Sequence, residues 1–126
     1  MAHIYMTDFQ QKFSLEQRKA EVVRILAKYP SRLPVICERY GETLPPLNKK
    51  KYLVPFELTV GQFIYVIRHR MTLPPEKAIY IFINNILPCS SRSMGSIYEE
   101  HKHADGFLYI RCGGENTFGF LSHKYI

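Results

Sequence analysis

Lys51-Tyr52-Leu53-Val54-Pro55, with Leu58-Thr59-Val60-Gly61-Gln62-Phe63 close behind it, is the stretch on which the fold turns. The first five residues read as a strand stopped by proline. Strand alternation puts Lys51 and Leu53 on one side and Tyr52 and Val54 on the other. Thr59 and Gln62 have the spacing of a capping box, in which each side chain bonds the other residue's backbone N–H. Val60, Phe63, Ile64, Ile67 and Met71 then trace one helical face, and Pro74-Pro75 closes the segment.

Upstream, Leu33 to Glu38 reads as a strand, with Pro34 marking a start or an edge. Ser14 and Gln17 form a second capping box ahead of a helix whose apolar stripe is Val22, Leu26 and Tyr29, ended by Pro30. Thr7 to Lys12 suits a short helix capped by Thr7 or Asp8, and Tyr40 to Asn48 is a polar connection. Downstream, Ala78 to Ile83 is β-branched and aromatic throughout, the pattern of a central strand buried on both faces. Asn84-Asn85 signals a turn. Ser93 to His101 supports a short helix bearing Met94, Ile97 and Tyr98, and Phe107 to Cys112 is a last strand released at Gly113-Gly114. Two helices followed by β-β-α-β-α-β predict an α+β domain, a mixed sheet wrapped on one long helix.

The chain's 126 residues, 46% apolar with nine Tyr, eight Phe and no Trp, fit one domain with an ordinary core. Seven Gly, eight Pro and three Cys exclude collagen-like, low-complexity and disulfide-scaffold classes. The longest apolar run, Ala78 to Ile83, is far below the ~20 residues that span a bilayer, and no secretory signal opens the chain. The odd cysteine count points to free thiols in a reducing cytosol. Residues 1–70 carry twelve basic and six acidic side chains, and residues 71–126 carry five of each, so the whole +6 lies in the first part. Such a surface suits acidic protein, anionic lipid or nucleic acid, and charge does not choose among them.

The residues offer little catalytic chemistry. Cys89, Cys112, His101 and His103 have no C-x-x-C pair, and H-x-H alone is a weak zinc signal, so no metal is expected. Cys37, mid-strand in an apolar run, reads as a small core residue. Glu99 and Glu100 face apart on a helix, and Gly113-Gly114 opens no phosphate loop, so no catalytic residue is expected. A binding role is better supported: if the strand at Lys51 to Pro55 lies at a sheet edge, an extended peptide can pair with it, its acidic flanks drawn to Lys49, Lys50 and Lys51. The competing reading is a half-buried edge protected by lysines.

Further motifs stand in the order of one family. After the stretch quoted first come Leu73-Pro74-Pro75-Glu76-Lys77-Ala78-Ile79, Tyr98-Glu99-Glu100-His101-Lys102, Asp105-Gly106-Phe107-Leu108-Tyr109 and Gly114-Glu115-Asn116-Thr117-Phe118-Gly119. From about Phe13 to Gly119 the chain resembles the autophagy-related ubiquitin-like modifiers, the family containing GABARAP and microtubule-associated protein light chain 3. The resemblance implies a ubiquitin-like β-grasp fold with two additional N-terminal helices. Its parts would be an N-terminal helical extension over 1–30, a β-grasp core over 31–112, a flexible conjugation tail over 113–119 and a removable extension over 120–126.

The resemblance also implies a function. A cysteine protease would cut after Gly119, between neighbours Phe118 and Phe120, and activating and conjugating enzymes would carry Gly119 to phosphatidylethanolamine. No cofactor beyond that covalent lipid is expected. Autophagy receptors with acidic-flanked aromatic-x-x-aliphatic motifs would add a strand to the Lys51–Pro55 edge. The aromatic pocket would comprise Glu21, Ile25, Pro34, Ile36, Lys51, Leu53 and Phe107. The aliphatic pocket would comprise Tyr52, Val54, Pro55, Leu58, Phe63, Val66, Ile67 and Arg70, with Phe63 also readable as core. A second docking surface around Ile81-Phe82-Ile83 occurs in parts of the family, against which stands a buried central strand. The lipidated form would sit on autophagosomal membranes and the remainder in the cytoplasm, with microtubules a further partner and nucleic acid none. The alternative is a non-lipidated soluble adaptor or cytoskeleton-associated binding protein using the basic N-terminal face.

Overall fold

The structure, a computed structural model, describes residues 6–41 and 44–114. Its elements follow the predicted order: α1 (Asp8–Lys12), α2 (Leu15–Lys28), β1 (Arg32–Arg39), β2 (Lys51–Pro55), α3 (Val60–Met71), β3 (Tyr80–Phe82), α4 (Met94–His101) and β4 (Leu108–Gly113). Local chemistry explains the helix starts. Ser14/Gln17 and Thr59/Gln62 close both bonds of a capping box, and Thr7/Gln10 forms a third. α3 ends on Thr72 in the left-handed region, two residues ahead of Pro74.

The strands form one mixed sheet in the order β2-β1-β4-β3, with β1 parallel to β4 and both outer pairs antiparallel. One face carries Leu33, Val35, Cys37, Tyr52, Val54, Leu108 and Ile110, packed against Val60, Phe63, Ile67 and Met71 of α3 and Met94 and Ile97 of α4. The opposite face holds a smaller cluster, Ile36 and Phe107 with Val22 of α2, flanked by Phe9, Ile25 and Tyr109.

Several expectations are corrected. Ala78 to Ile83 is not a central strand: only Tyr80–Phe82 is strand, and it lies at the edge beside β4. Ile81, Phe82 and Ile83 are nonetheless buried, Ile81 and Ile83 in the main core with residues of α3 and α4. The α2 stripe is also displaced. Val22 is buried, but Leu26 and Tyr29 are 38% and 40% exposed, and Ile25 and Arg18 take the inner positions. Pro34 sits in an interior strand, yet at its start, before pairing with β4 begins at Val35. The connection after Tyr40 is not wholly polar, since Leu44 is buried in the main core and Leu47 packs against it. β4 extends to Gly113, which pairs with Tyr80, so the chain is not released there.

Candidate docking site at the open sheet edge

β2 is one of the sheet's two outer strands, and no described strand pairs with its far side. The Cys37 N–H donates to the Lys50 carbonyl at 2.7 Å, which fixes the alternation of the β1–β2 ladder. Val35/Tyr52 and Leu33/Val54 then exchange bonds, while Ile36/Lys51 and Pro34/Leu53 do not. Pro34, which has no N–H, therefore costs that ladder nothing. The backbone groups of Lys51 and Leu53 point to the open edge, where the Arg32 guanidinium lies 3.5 Å from the Leu53 carbonyl.

The residues expected to form the aromatic pocket do come together. Pro34 and Ile36 lie opposite Leu53 and Lys51 on the sheet face covered by α2, and Phe107 lies beside Ile36. Pro34, Ile36 and Phe107 are buried as a floor, while Glu21 and Ile25 of α2 with Leu53 are half-buried at the rim. Lys51 is ion-paired with Glu21 across this corner. One contributor is absent from the sequence-based set: Phe9 of α1. Its ring meets Phe107 edge-on at 5.1 Å, and the Lys51 ammonium lies 5.6 Å above it. A short helix gives too little periodicity to assign Phe9 to this corner from sequence. Phe9 and Glu21 also line a groove of about 270 Å³ on the side of α2, with Phe13, Gln17 and Arg24.

The residues expected to form the aliphatic pocket divide in two. Tyr52, Val54, Phe63 and Ile67 are buried in the main core, the Tyr52 and Phe63 rings meeting edge-on at 5.6 Å. The Tyr52 hydroxyl donates to the Lys49 carbonyl at 3.0 Å, and burial pushes its pKa up to about 12. Pro55 and Leu58 are half-buried, and Val66 and Arg70 are exposed. These last four present surface beside the edge, joined by Tyr65, which is stacked on His69 at 5.1 Å. Tyr65, Val66, His69 and Arg70 line a groove of about 290 Å³. Tyr65 was legible in sequence only as a residue off the apolar face of α3.

The corner is held by one buried network. Asp105 accepts from Arg18 Nη1 and Tyr109 OH, both at 2.5 Å, and from the Phe107 N–H at 2.8 Å. Burial works against the Arg18 charge, but its bonds to Asp105 and Tyr109 prevail and hold its pKa above the ordinary value. Gly106, at φ +95°, completes the turn. A Cβ there would lie 2.7 Å from Val22 Cγ1, so glycine lets α2 approach.

Phe118, Gly119 and Phe120 lie outside the described residues. Ile81, Phe82 and Ile83, where parts of the resembled family carry a second docking surface, are buried here as the strand reading had them, although Phe82 does line a cleft of about 600 Å³ with Thr7, Gln10, Asn84 and Arg111.

Comparison with known proteins gives the context of this arrangement. A family model described as autophagy protein Atg8, ubiquitin like, matches residues 17–119. Autophagy-related protein 8 of Mycosarcoma maydis is 59% identical over 114 residues, 90% of this chain and 97% of that protein. Autophagy-related protein 8d of Arabidopsis thaliana is 56% identical, covering 92% of this chain and 98% of its own. Among solved structures, Trypanosoma brucei ATG8 superposes with a TM-score of 0.83 at 36% identity, over 88% of this chain and 97% of that one. Plasmodium falciparum Atg8 in complex with a P. falciparum Atg3 peptide gives 0.78 at 35% identity, over 87% of this chain and all of the other.

Proposed function

We propose a function that starts from family membership: the chain belongs to the Atg8 family of ubiquitin-like autophagy proteins. It is a ubiquitin-like modifier of autophagy and not itself an enzyme. We infer that it is cut between Gly119 and Phe120 and that the new Gly119 carboxylate is joined to phosphatidylethanolamine. The observation that carries this is the position of Gly119: the family match runs to residue 119, and seven residues follow it here.

The chemistry accounts for the residue type. Without a Cβ, a glycine can thread the narrow catalytic channel of a cysteine protease and those of the activating and conjugating enzymes. The carboxylate is activated as an adenylate, held as a thioester, and ends as an amide on the lipid amine. One acyl chain of myristoyl size binds membranes only marginally, whereas two make a firm anchor. No described helix is long and apolar enough to cross a membrane, so under this reading attachment to the autophagosome is chemical.

The β2 edge is the proposed receptor site. A peptide adding alongside β2 would use the outward backbone groups of Lys51 and Leu53. Its aromatic side chain would enter the Pro34–Ile36–Phe107 corner once the Lys51–Glu21 pair swings aside. Its aliphatic side chain would rest on Pro55, Leu58 and Val66, and its acidic flanks would meet Lys51 and Arg70. Tyr52, Val54, Phe63 and Ile67 support this surface from beneath. The Atg3 peptide bound to the Plasmodium relative supports a conjugation-system partner of the same kind for this chain.

Two measurements test the proposal. Intact mass after incubation with the family's cysteine protease should fall by residues 120–126. An unchanged mass, or Gly119→Ala processed like wild type, would overturn it and favour a non-lipidated adaptor. Calorimetry with an acidic-flanked motif peptide should find Lys51→Glu with Arg70→Glu about tenfold weaker or more, about 1.4 kcal/mol per decade. Unchanged affinity would remove the docking site from this edge.

A further inference from the structure

The cleft beside the end of β3 gathers cationic and amide side chains that the peptide edge does not use. Its volume is about 600 Å³, the size of a small-molecule site. Lys102, Arg111, His101 and His103 line it together with Asn84 and Asn85, and among the described residues no carboxylate does. The acids on the adjoining elements are engaged elsewhere. Asp105 accepts from Arg18, Tyr109 and the Phe107 N–H, Glu38 accepts from the N–H groups of Asp8 and Phe9, and Glu100 pairs with Arg92 at 2.8 Å. The hydrogen bonds around the rings set their tautomers. The Asp105 N–H donates to His103 Nδ1 at 3.0 Å, so the proton of the neutral ring sits on Nε2, which has no acceptor among the described residues. His101 is occupied on both sides: Nδ1 accepts from Asn84 Nδ2 at 3.1 Å, and Nε2 lies 3.4 Å from a Glu100 oxygen. The Lys102 ammonium lies 5.4 Å above the Tyr98 ring and has no carboxylate partner among the described residues. The backbone carrying these groups is held in place. The His103 N–H donates to the Phe107 carbonyl at 2.8 Å, and the His103 carbonyl accepts from the Gly106 N–H at 2.9 Å. Across the cleft, Ile83 and Ile86 exchange two 3.0 Å bonds around the Asn84-Asn85 turn.

We propose that this cleft binds a small phosphomonoester, with its phosphate held by Lys102, His103 and Arg111. The three donors come from two separate stretches of chain, the loop after α4 and the strand β4, and Asn85 adds an amide from a third. A tetrahedral dianion offers oxygens in several directions at once, whereas a planar carboxylate is satisfied by one bidentate partner. Charge-assisted bonds of this kind are the strong ones, and with no acid lining the cleft nothing there repels the anion. The cleft is much larger than a phosphate alone. Phe82, Tyr109 and Ile110 give it apolar surface, which suits an organic body attached to the phosphate. A recessed site of this size selects a small solute over a bilayer or a nucleic-acid duplex, both of which meet broad surfaces. The site belongs to β3 and β4, at the opposite side of the sheet from β2, and rests neither on lipid attachment nor on peptide docking.

The test is a titration of the full 126-residue chain, without lipid attached, followed by amide NMR at neutral pH and constant ionic strength. Phenyl phosphate, inorganic phosphate and phenol are the probes. Phenyl phosphate should shift the amides of residues 84–85, 101–104 and 111 saturably, and bind about tenfold or more tighter than either inorganic phosphate or phenol. Lys102→Gln with His103→Gln should weaken phenyl phosphate at least about fivefold. Lys19→Gln, which removes the same unit of charge from an exposed position on α2, should leave its affinity unchanged. Thermal unfolding of the same samples verifies that each variant is folded. Lys102→Gln alone, at an exposed position, carries the comparison if the double variant does not fold. Shifts that do not saturate, or that spread over the basic residues of 1–70, would overturn the proposal. So would equal phenyl phosphate affinity in wild type and the cleft variants, or phenol or inorganic phosphate binding as tightly as phenyl phosphate.

Discussion

Asp105 is the residue on which the proposed docking corner depends. Its side chain is fully buried, and its two oxygens accept from Arg18, Tyr109 and the Phe107 N–H. Arg18 also donates from Nε to the Phe13 carbonyl at 3.1 Å, so one guanidinium joins the start of α2 to the turn before β4. Breaking a buried pair by neutralising one partner leaves the other charge uncompensated. Asp105→Asn should therefore cost about 3–5 kcal/mol in urea denaturation. Adding Arg18→Met to that variant removes the stranded charge, so the double variant should be more stable than Asp105→Asn alone. A double variant less stable than the single would show that the charge pair is not what holds the corner. The sequence marked Asp105-Gly106-Phe107 as a motif but left Arg18 unremarked, because a buried arginine in a polar helix looks like any other.

Among the elements, α1 is the most dependent on its surroundings. Five residues are too few for a helix to persist in water alone. Its capping box is legible in the sequence once the helix is known, but its second support is not. Glu38 of β1, buried, accepts from the N–H groups of Asp8 and Phe9 at 3.3 and 3.2 Å, placing a carboxylate at the helix's positive end. Glu38→Ala should release α1 while leaving the sheet intact. Amide exchange over residues 8–12 should accelerate about fivefold or more, in line with ~1 kcal/mol for a lost cap. Exchange in β1 and β4 should change little, and uniform acceleration across the chain would instead assign Glu38 to global stability. Since Phe9 of α1 lines the aromatic corner, the same variant should alter peptide affinity without touching β2. α3 offers the contrast: its capping box and its five-residue apolar face were both legible, because every determinant lies within one segment.

For the whole molecule, the pH dependence of stability follows from two phenols on opposite faces of the sheet, Tyr52 buried and Tyr109 half-buried. Burial raises the Tyr52 pKa to about 12, and burial together with Asp105 raises that of Tyr109. In the unfolded chain both ionise near 10. Above pH 10 the unfolded state thus binds fewer protons than the folded one, and stability falls as pH rises until the folded values are passed. Denaturant melts between about pH 9 and 11.5 should show this decline, and Tyr52→Phe should flatten it. An equal slope in Tyr52→Phe would mean that Tyr52 does not contribute. What the sequence determined by itself was the element order, the capped helices, the alternating faces of β2 and the family's motifs. Each depends on periodicity, short-range hydrogen bonds or residue order, which are properties of a local segment. Tertiary structure alone decided that β3 is an edge and β1 an interior strand, that α2 turns Val23 and Leu26 outward, and that Tyr52, Val54, Phe63 and Ile67 belong to the main core beneath the β2 edge. It alone joined Arg18 to Asp105 across 87 positions. Those outcomes depend on which distant surfaces compete to be buried together, and apolar character in a segment says that it will be covered without saying by what.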